Sequence, residues 1–499
     1  MASLASPENG VPAGYTALSQ AYGLSTLENW HESWIRGTRK LSVDGTRVVE
    51  YFPAGYAPGQ TLGEQLEFAL KYDGVNLEVL AALFAVAPSS EIAGYIQPRP
   101  TGKYARIVWY LYELLTGQQL PLDDLPATGN YVSILESDKY YTAAPIRVRR
   151  QRVNDNLLGD AAFCPTVRQT AALTAMEQTN PAHQCRDIIQ EYSTEFLKRA
   201  LSYLYTKETK SSFEIEHQTP DPNRTERFVA LLRHAEQEDF VTKAALIELQ
   251  NRTVDKRFQD TDYRETQNYI GQTVAWREKI HYIPPKPADL SEMMNGLLKV
   301  HSRASYVHPV VHAGVISFSF VYFHPFEDGN GRIHRFLIHN VLARRGLTPP
   351  GFIFPISAAL LRDRVAYDEA LEHFSAQLLP RIEYQLDEGG QMTVSNETAI
   401  HYRYMDLTIQ IEALANFIQR TIDAELPGEL DFLKRYDTTK AALQEIVDMP
   451  DRMIDRFIHF CWQNNGQLSA RKRQSHFEAL TDSEVQAMEQ VVAGEPPGE

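Results

Sequence analysis

The segment HPFEDGNGRIHR, residues 324–335, is the most informative stretch of this 499-residue chain. Its two glycines, Gly329 and Gly331, can adopt backbone angles that let successive N–H groups converge on an anion. The apolar run VVHAGVISFSFVYF precedes the segment, and a second helical pattern follows it as far as Arg345, where Gly346 ends it. The order predicts a helix, a tight loop and a second helix, whose N-terminal end favours phosphate.

The polar side chains of the segment match the chemistry of such a site. Arg332 and Arg335 are three residues apart, so they share a face of the second helix and can reach the same anion. Asp328 offers a carboxylate for Mg²⁺ between phosphates, and Asn330 can donate to phosphate. The imidazole of His324 can remove a proton from an incoming hydroxyl. The segment therefore predicts a polyphosphate site with a general base.

Three other interpretations compete with this one. The segment lacks the alternating acids of a calcium-binding loop, and its last position holds arginine instead of glutamate. A P-loop requires GxxxxGK followed by Ser or Thr, which the chain does not contain. The third interpretation is a helix-capping turn with salt-bridging arginines, which is the more common role of each of these residues considered alone. The density of reactive groups in twelve residues nevertheless favours a functional site.

Composition limits the class of protein. Hydrophobic residues make up 43% and charged residues 23%, values typical of globular domains, and the length predicts two or three domains. The net charge of −15 argues against broad nucleic-acid binding. Only three cysteines occur, without metal-site spacing, and neither a secretory signal nor a 20-residue apolar span is evident. We expect a cytoplasmic protein without membrane partners.

Helical periodicity covers most of the chain outside the segment. Residues 1 to about 60 have no sustained period, which suggests an irregular wrap or short strands, and helices follow from Thr61. A loop-rich stretch with possible strands covers about 118–165, helices resume after it, and a hairpin-like segment covers about 269–283. Further helices extend to Val492. The fold class is therefore mainly α, with an N-terminal accessory domain at 1–184, a central domain at 185–388 and a C-terminal helical domain at 389–499.

Several histidines lie near the segment and could suggest a metal site, but their spacing is not that of metal ligands. No HExxH occurs, and His334 and His339 are five apart and do not share a helix face well. We interpret them as ordinary helix residues, together with His301, His308 and His312.

The segment resembles a known family signature. HPFxxGNGRxxR is typical of Fic-domain proteins, and the chain keeps all its fixed positions: His324, Pro325, Phe326, Gly329, Asn330, Gly331, Arg332 and Arg335. The resemblance continues upstream through YIPPKPADLSEMMNGLL and FSFVYFHPF and covers about residues 185–379. It implies a helical core that binds ATP, with Mg²⁺, along the glycine loop.

The resemblance also implies a role for each residue. His324 is the base, Asp328 holds Mg²⁺, the backbone of Gly329–Gly331 binds phosphates, and Arg332 and Arg335 hold the outer phosphates. A target hydroxyl attacks the α-phosphate, and pyrophosphate leaves. A strand-like flap near Thr273–His281 aligns the target. Tyr367 resembles the position near the adenine, although a packed helix tyrosine explains it equally well.

A second resemblance lies upstream, in KSSFEIEH at residues 210–217, where Ser212 and Glu216 are four apart on one helix face. It is similar to the inhibitory helix of Fic proteins that carry their own brake. In that family the glutamate pairs with the second motif arginine, here Arg335. His217 stands where the family usually has Gly or Asn, and Glu214 is a second, weaker candidate for the inhibitory residue.

The implied function is an autoinhibited bacterial protein adenylyltransferase that moves AMP from ATP to a Ser, Thr or Tyr hydroxyl of a target protein. De-AMPylation, self-modification and self-association are compatible with the resemblance. The alternatives are transfer of UMP, GMP, phosphocholine or phosphate, or a catalytically idle scaffold that binds a partner. The intact His324 argues against the scaffold, and both arginines with Asp328 favour a nucleoside triphosphate.

Overall fold

The computed structural model describes residues 10–45, 47–274 and 277–494. Helices dominate this part of the chain, and the strands form small sheets. The mainly α class predicted from the sequence is confirmed. No single described helix is long and apolar enough to cross a membrane; the pair Leu77–Val86 and Ser89–Ile96 reaches that length together but is bent by 114°.

The N-terminal part combines a sheet with a group of helices. Four strands pair in the order β1-β2-β4-β3, with β2 and β4 parallel and the outer pairs antiparallel. The strands are β1 Val11–Ala13, β2 His31–Ile35, β3 Lys40–Asp44 and β4 Arg47–Phe52. The helices are α1 Tyr15–Tyr22, α2 Leu62–Phe68, α3 Leu77–Val86, α4 Ser89–Ile96 and α5 Lys103–Thr116. Short strands, one of the two alternatives for this region, therefore occur between Val11 and Phe52, together with the helix α1, which was not predicted.

The loop-rich stretch that follows contains a three-stranded sheet in the order β5-β7-β6. Its strands are short: β5 Val132–Ser133, β6 Ile146–Val148 and β7 Val153–Asp155. Four helices then lead toward the motif segment: α6 Ala171–Thr179, α7 Pro181–Gln190, α8 Thr194–Ile215 and α9 Pro222–His234. The helix α10, Lys243–Thr253, precedes an antiparallel hairpin of β8 Ile270–Val274 and β9 Arg277–Tyr282. The hairpin agrees with the predicted flap, of which residues 275–276 lie outside the described part.

Three helices frame the motif segment: α11 Pro287–Arg303, α12 Pro309–Phe323 and α13 Asn330–Arg344. The helix α12 is apolar on all sides and buried along nearly its whole length, as expected of a helix at the centre of a domain. Pro309 begins it, at a position where proline's missing N–H costs nothing. The helix α13 ends as predicted, with Gly346 at φ +69°.

The described residues after α13 are mostly helical, with a hairpin of β10 Tyr384–Leu386 and β11 Met392–Val394 that the sequence did not reveal. The remaining helices are α14 Ile356–Arg362, α15 Arg364–Leu378, α16 Ala399–Arg403, α17 Thr408–Arg420, α18 Leu426–Ile446, α19 Asp451–Trp462, α20 Ala470–His476 and α21 Asp482–Ala493.

Apolar side chains gather in three large clusters. The first involves residues 15–164 and Tyr404, the second, which surrounds the motif segment, runs from Tyr141 to Leu430, and the third lies between Leu443 and Val492. The helix α18 belongs to two of them, with Leu430 in the second and Leu443 in the third. The domain boundaries at 184/185 and 388/389 stay predictions.

Candidate active site

His324 lies at the C-terminal end of α12 in the left-handed conformation, with φ 48° and ψ 58°. Its Nδ1 lies 3.3 Å from the carbonyl oxygen of Val321, so Nδ1 carries the proton and Nε2 keeps a free lone pair. Burial, followed by the charge of Arg264, lowers the pKa of His324 to about 4. The imidazole is therefore neutral at physiological pH and can accept a proton through Nε2.

The loop after His324 is held together by Asn330. Its Oδ1 accepts from the main-chain N–H of Phe326 at 3.1 Å, and its Nδ2 donates to the carbonyl of the same residue at 2.7 Å. Asn330 is only 1% exposed. The amide is thus engaged within the loop and fixes its shape, and donation to phosphate from its second N–H stays a prediction.

Gly329 begins α13 with φ +92°, a conformation that side chains rarely adopt. The main-chain N–H groups at this helix start have no partner within the helix, so the anion site predicted for the Gly329–Gly331 backbone has its geometric basis. Asp328 accepts from the Gly329 N–H at 2.6 Å and from Nη2 of Arg332 at 2.7 Å through one oxygen, Oδ1.

Both motif arginines are buried and contact the same carboxylate. Oε2 of Glu216 lies 2.9 Å from Nε of Arg332, and Oε1 lies 2.6 Å from Nη2 of Arg335. Arg335 also donates from Nε to the Ser212 hydroxyl at 2.8 Å and from Nη2 to the Ser212 carbonyl at 2.6 Å. The predicted pair of Glu216 with Arg335 exists, and the second contact with Arg332 is additional.

The side chain of Glu216 also touches the glycine loop. A Cβ atom added to Gly331 would lie 2.5 Å from Oε1 of Glu216, closer than any real contact. The carboxylate thus occupies the space directly over the loop where an anion would approach the first turn of α13.

The end of α8 explains how Glu216 reaches this place. Glu216 is the first residue beyond the helix, and His217 follows with φ +55°. The Gln218 N–H donates back to the Phe213 carbonyl at 3.1 Å, which closes the helix end. His217 therefore adopts the left-handed conformation that Gly or Asn usually provides after the end of a helix. Glu214 is exposed, whereas Glu216 contacts both arginines, so the geometry favours Glu216 over Glu214 as the candidate inhibitory residue.

Tyr367 lies in α15 and is buried against the site rather than open to it. Its ring stacks near that of His334, with centroids 6.2 Å apart at 19°, and its hydroxyl interacts with Arg335. Burial raises its pKa. Tyr367 thus contacts Arg335 from within the core, and its proximity to adenine stays a prediction.

Comparison with known proteins identifies the central segment. Residues 240–342 match the model of the Fic/DOC family. These residues form a Fic domain. The Fic domain therefore contains the hairpin, the motif segment and most of α13, while Glu216 precedes it in the chain.

Curated relatives of the Fic domain include insect proteins. "Protein adenylyltransferase Fic" of Aedes aegypti is 32% identical over 115 residues, which are 22% of this chain and 21% of the relative. The protein of the same name in Culex quinquefasciatus is 34% identical over 116 residues, again 22% and 21%. The chain thus covers about a fifth of the length of these relatives.

Among solved structures, a Fic family protein from Desulfovibrio desulfuricans covers 63% of this chain and 85% of its own, with a TM-score of 0.38 and 15% identity.

Two contributors to the site were not found in the sequence. Arg264 donates from Nε to the His324 carbonyl at 2.8 Å, and Glu208 bonds Nε2 of His339 at 2.7 Å across α8 and α13. Neither stands in a motif, and a charged residue in a polar segment gives no sign that it is buried. The four-residue step Glu208, Ser212, Glu216 along α8 was the available signal for Glu208.

Proposed function

We propose that this chain is a protein adenylyltransferase, which transfers AMP from ATP to a protein hydroxyl, and that Glu216 inhibits it. The observation that carries the proposal is the bridge from Glu216 to Arg332 and Arg335 beside the neutral imidazole of His324. Two buried guanidiniums on one helix face, over a helix start, form an anion site. The adenylyltransferase names of the relatives support AMP as the transferred group.

The reaction follows from the placement of these groups. The target hydroxyl oxygen attacks the α-phosphorus of ATP while its proton passes to Nε2 of His324. The bond from the α-phosphorus to the bridging oxygen breaks, and the electron pair leaves with pyrophosphate. The loop N–H groups at Gly329–Gly331 and the guanidiniums of Arg332 and Arg335 stabilise the charge that develops on the phosphates.

A divalent cation fits this site through Asp328. Its side chain is 43% exposed, and within the described residues no group of three or more His, Cys, Asp or Glu converges on one point. One carboxylate with phosphate oxygens and water is the arrangement that Mg²⁺ prefers in nucleotide sites. When bound, the cation would neutralise phosphate charge next to Asp328.

Inhibition follows from competition for the same cations. While Glu216 neutralises both arginines, a phosphate that approaches α13 meets a carboxylate over Gly331. A polyphosphate must displace that carboxylate or bind in a different orientation. The proposed resting state is therefore inactive.

The test is self-labelling with radiolabelled ATP and magnesium. Glu216→Gly is expected to raise labelling above wild type by on the order of tenfold or more, because each lost charge-assisted contact is worth about 1.5–3 kcal/mol. Glu214→Gly is the matched control, since this exposed acid lies two residues away, and its labelling should equal wild type. Adding His324→Ala to Glu216→Gly should abolish labelling.

The outcomes separate the alternatives. Equal labelling of Glu216→Gly and wild type would discard the inhibitory role. Labelling from UTP, GTP or CDP-choline in preference to ATP would assign a different transferred group. No labelling of the chain or of lysate proteins by any variant would favour an idle scaffold. Release of AMP from prelabelled protein by wild type would add de-AMPylation. The bacterial source and cytoplasmic location stay predictions.

A further inference from the structure

Arg264 lies in the segment between α10 and β8 and is 5% exposed. Its guanidinium donates to main-chain carbonyls of several segments. Nε donates to His324 at 2.8 Å, Nη1 to Thr266 at 2.8 Å, and Nη2 to Pro285 at 2.6 Å and to Phe323 at 3.5 Å. Its main-chain N–H donates to the Pro325 carbonyl at 2.8 Å. A single residue thus contacts the backbone on both sides of His324.

Arg264 is a buried cation whose guanidinium is held by main-chain carbonyl oxygens. Burial lowers the pKa of Arg264 to about 10, and the charge of Glu327 opposes this shift, so the guanidinium remains charged at neutral pH. The carbonyls that end α12 lack partners in the helix and carry the negative end of its dipole. A buried cation there is stabilised only if the carbonyls keep their positions, which makes the geometry strongly specified.

The other two carbonyls connect this cation to the hairpin. Thr266 precedes β8 and Pro285 follows β9, so the guanidinium holds both ends of the hairpin as well as the turn of His324. We propose that Arg264 is a positioning residue that fixes the hairpin relative to His324 and so aligns the target hydroxyl with the base. This inference rests on the proposed function.

Arg264 also acts on the charge of the base. The charged groups that influence His324 are Arg264, which disfavours the imidazolium, and Asp328, which favours it, while burial disfavours it most strongly. Glu327 lies close enough to Arg264 to favour the guanidinium charge. Removing the guanidinium therefore removes one of the two effects that keep His324 neutral.

The experiment uses the Glu216→Gly protein as parent and adds Arg264→Met or Arg264→Lys. Arg264→Met is expected to lower kcat of self-labelling by about ten- to a hundredfold, as a misplaced base does, with little change in the KM for ATP. The pKa of His324, followed by NMR titration of its imidazole, should rise. Arg264→Lys should restore that pKa but not kcat, because an ammonium lacks the fork that joins separate carbonyls.

The control is Arg257→Met, which removes an exposed arginine bonded to Asp255 and should leave all three quantities unchanged. The proposal is overturned if Arg264→Met keeps the parent's kcat and His324 pKa, or if Arg264→Lys keeps the parent's kcat. If Arg264→Met does not fold, the kcat of Arg264→Lys decides alone. If the parent itself labels nothing, the proposed function fails, and the NMR titration still tests the contact with His324.

Discussion

At the scale of single residues, His217 has a conformation that predicts an effect on stability. A non-glycine residue in the left-handed region costs roughly 1–2 kcal/mol, partly offset in glycine by its larger unfolded-state entropy. His217→Gly is therefore expected to raise the free energy of unfolding by about 0.5–1 kcal/mol in urea titrations. His217→Ala retains the strained φ of +55° and should not stabilise the chain. Equal stability of the two variants would contradict the strain.

The side chains that form the site were easier to predict than their partners. The spacing of Arg332 and Arg335 and the four-residue step from Ser212 to Glu216 placed these side chains on the correct helix faces, because helical geometry depends on spacing alone. The pair of Glu216 with Arg335 was predicted only through the family resemblance, and its contact with Arg332 was not predicted, because both depend on how two helices distant in the chain approach. The hydrogen bonds between Asn330 and the loop backbone were not predicted either.

At the scale of elements, α8 and α13 meet through a series of polar contacts on one face of each helix. Glu208 bonds His339, Ser212 bonds Arg335, and Glu216 pairs with Arg335 and Arg332. The contacting residues are three or four positions apart on each helix, and their numbers rise along α8 as they fall along α13, so the two helices are antiparallel neighbours. Glu208 also accepts from the N–H of Ser357 at 2.9 Å, which ties α8 to the start of α14.

The contact between Glu208 and His339 predicts a large effect of mutation. Glu208→Ala leaves the buried imidazole and the Ser357 N–H without their partner, and each unsatisfied group costs about 1–3 kcal/mol, so the variant should lose about 3 kcal/mol of unfolding free energy. The matched control is Glu214→Ala, an exposed acid on the same helix, which should change stability by less than about 0.5 kcal/mol. Comparable losses in both variants, measured by denaturant unfolding, would refute the anchoring role.

The sequence predicted the long helices around the motif segment better than the short strands. The helices α11, α12 and α13 were found because long periodic segments bounded by Pro309 and Gly346 leave little choice. The sheet of residues 11–52 was left open between an irregular wrap and strands, and the β10–β11 hairpin was missed. Their strands are three to six residues long, too short for a clear alternation, and β2 pairs in parallel with β4 across an intervening strand.

At the scale of the whole molecule, a chain of buried polar groups connects four segments away from the motif. Arg345 donates to Nδ1 of His312 at 2.9 Å, and Nε2 of His312 lies 3.0 Å from Nδ1 of His301, whose Nε2 lies 3.3 Å from Asp239. Because arginine only donates, Nδ1 of His312 accepts from Arg345, which leaves Nε2 to carry the proton toward His301. Both ring nitrogens of each histidine are thus engaged in hydrogen bonds.

This polar chain predicts a dependence of stability on pH. Burial first, then the neighbouring His301 and Arg345, lower the pKa of His312 to about 3. Below the unfolded value of about 6.5, the unfolded state binds a proton that the folded state does not, so stability falls as pH falls. His312 alone should remove about 2 kcal/mol between pH 7 and pH 5.

The measurement is urea unfolding at pH 7, 6 and 5. His312→Gln should show a shallower decline than wild type, whatever its absolute stability, whereas His183→Gln, at an exposed histidine, should decline as wild type does. Parallel declines in all three proteins would show that His312 titrates alike in both states.

The helix α18 links the C-terminal helices to the cluster of apolar residues that surrounds the site. Its 21 residues span about 30 Å at 1.5 Å per residue, and it joins the cluster around the motif to the C-terminal cluster. Along the way it is pinned to α8, by Lys207 with Glu429 at 3.4 Å and by Arg199 with Asp437 at 2.6 Å. Residues 451–493 are therefore joined through α18 to the helix that directly precedes Glu216.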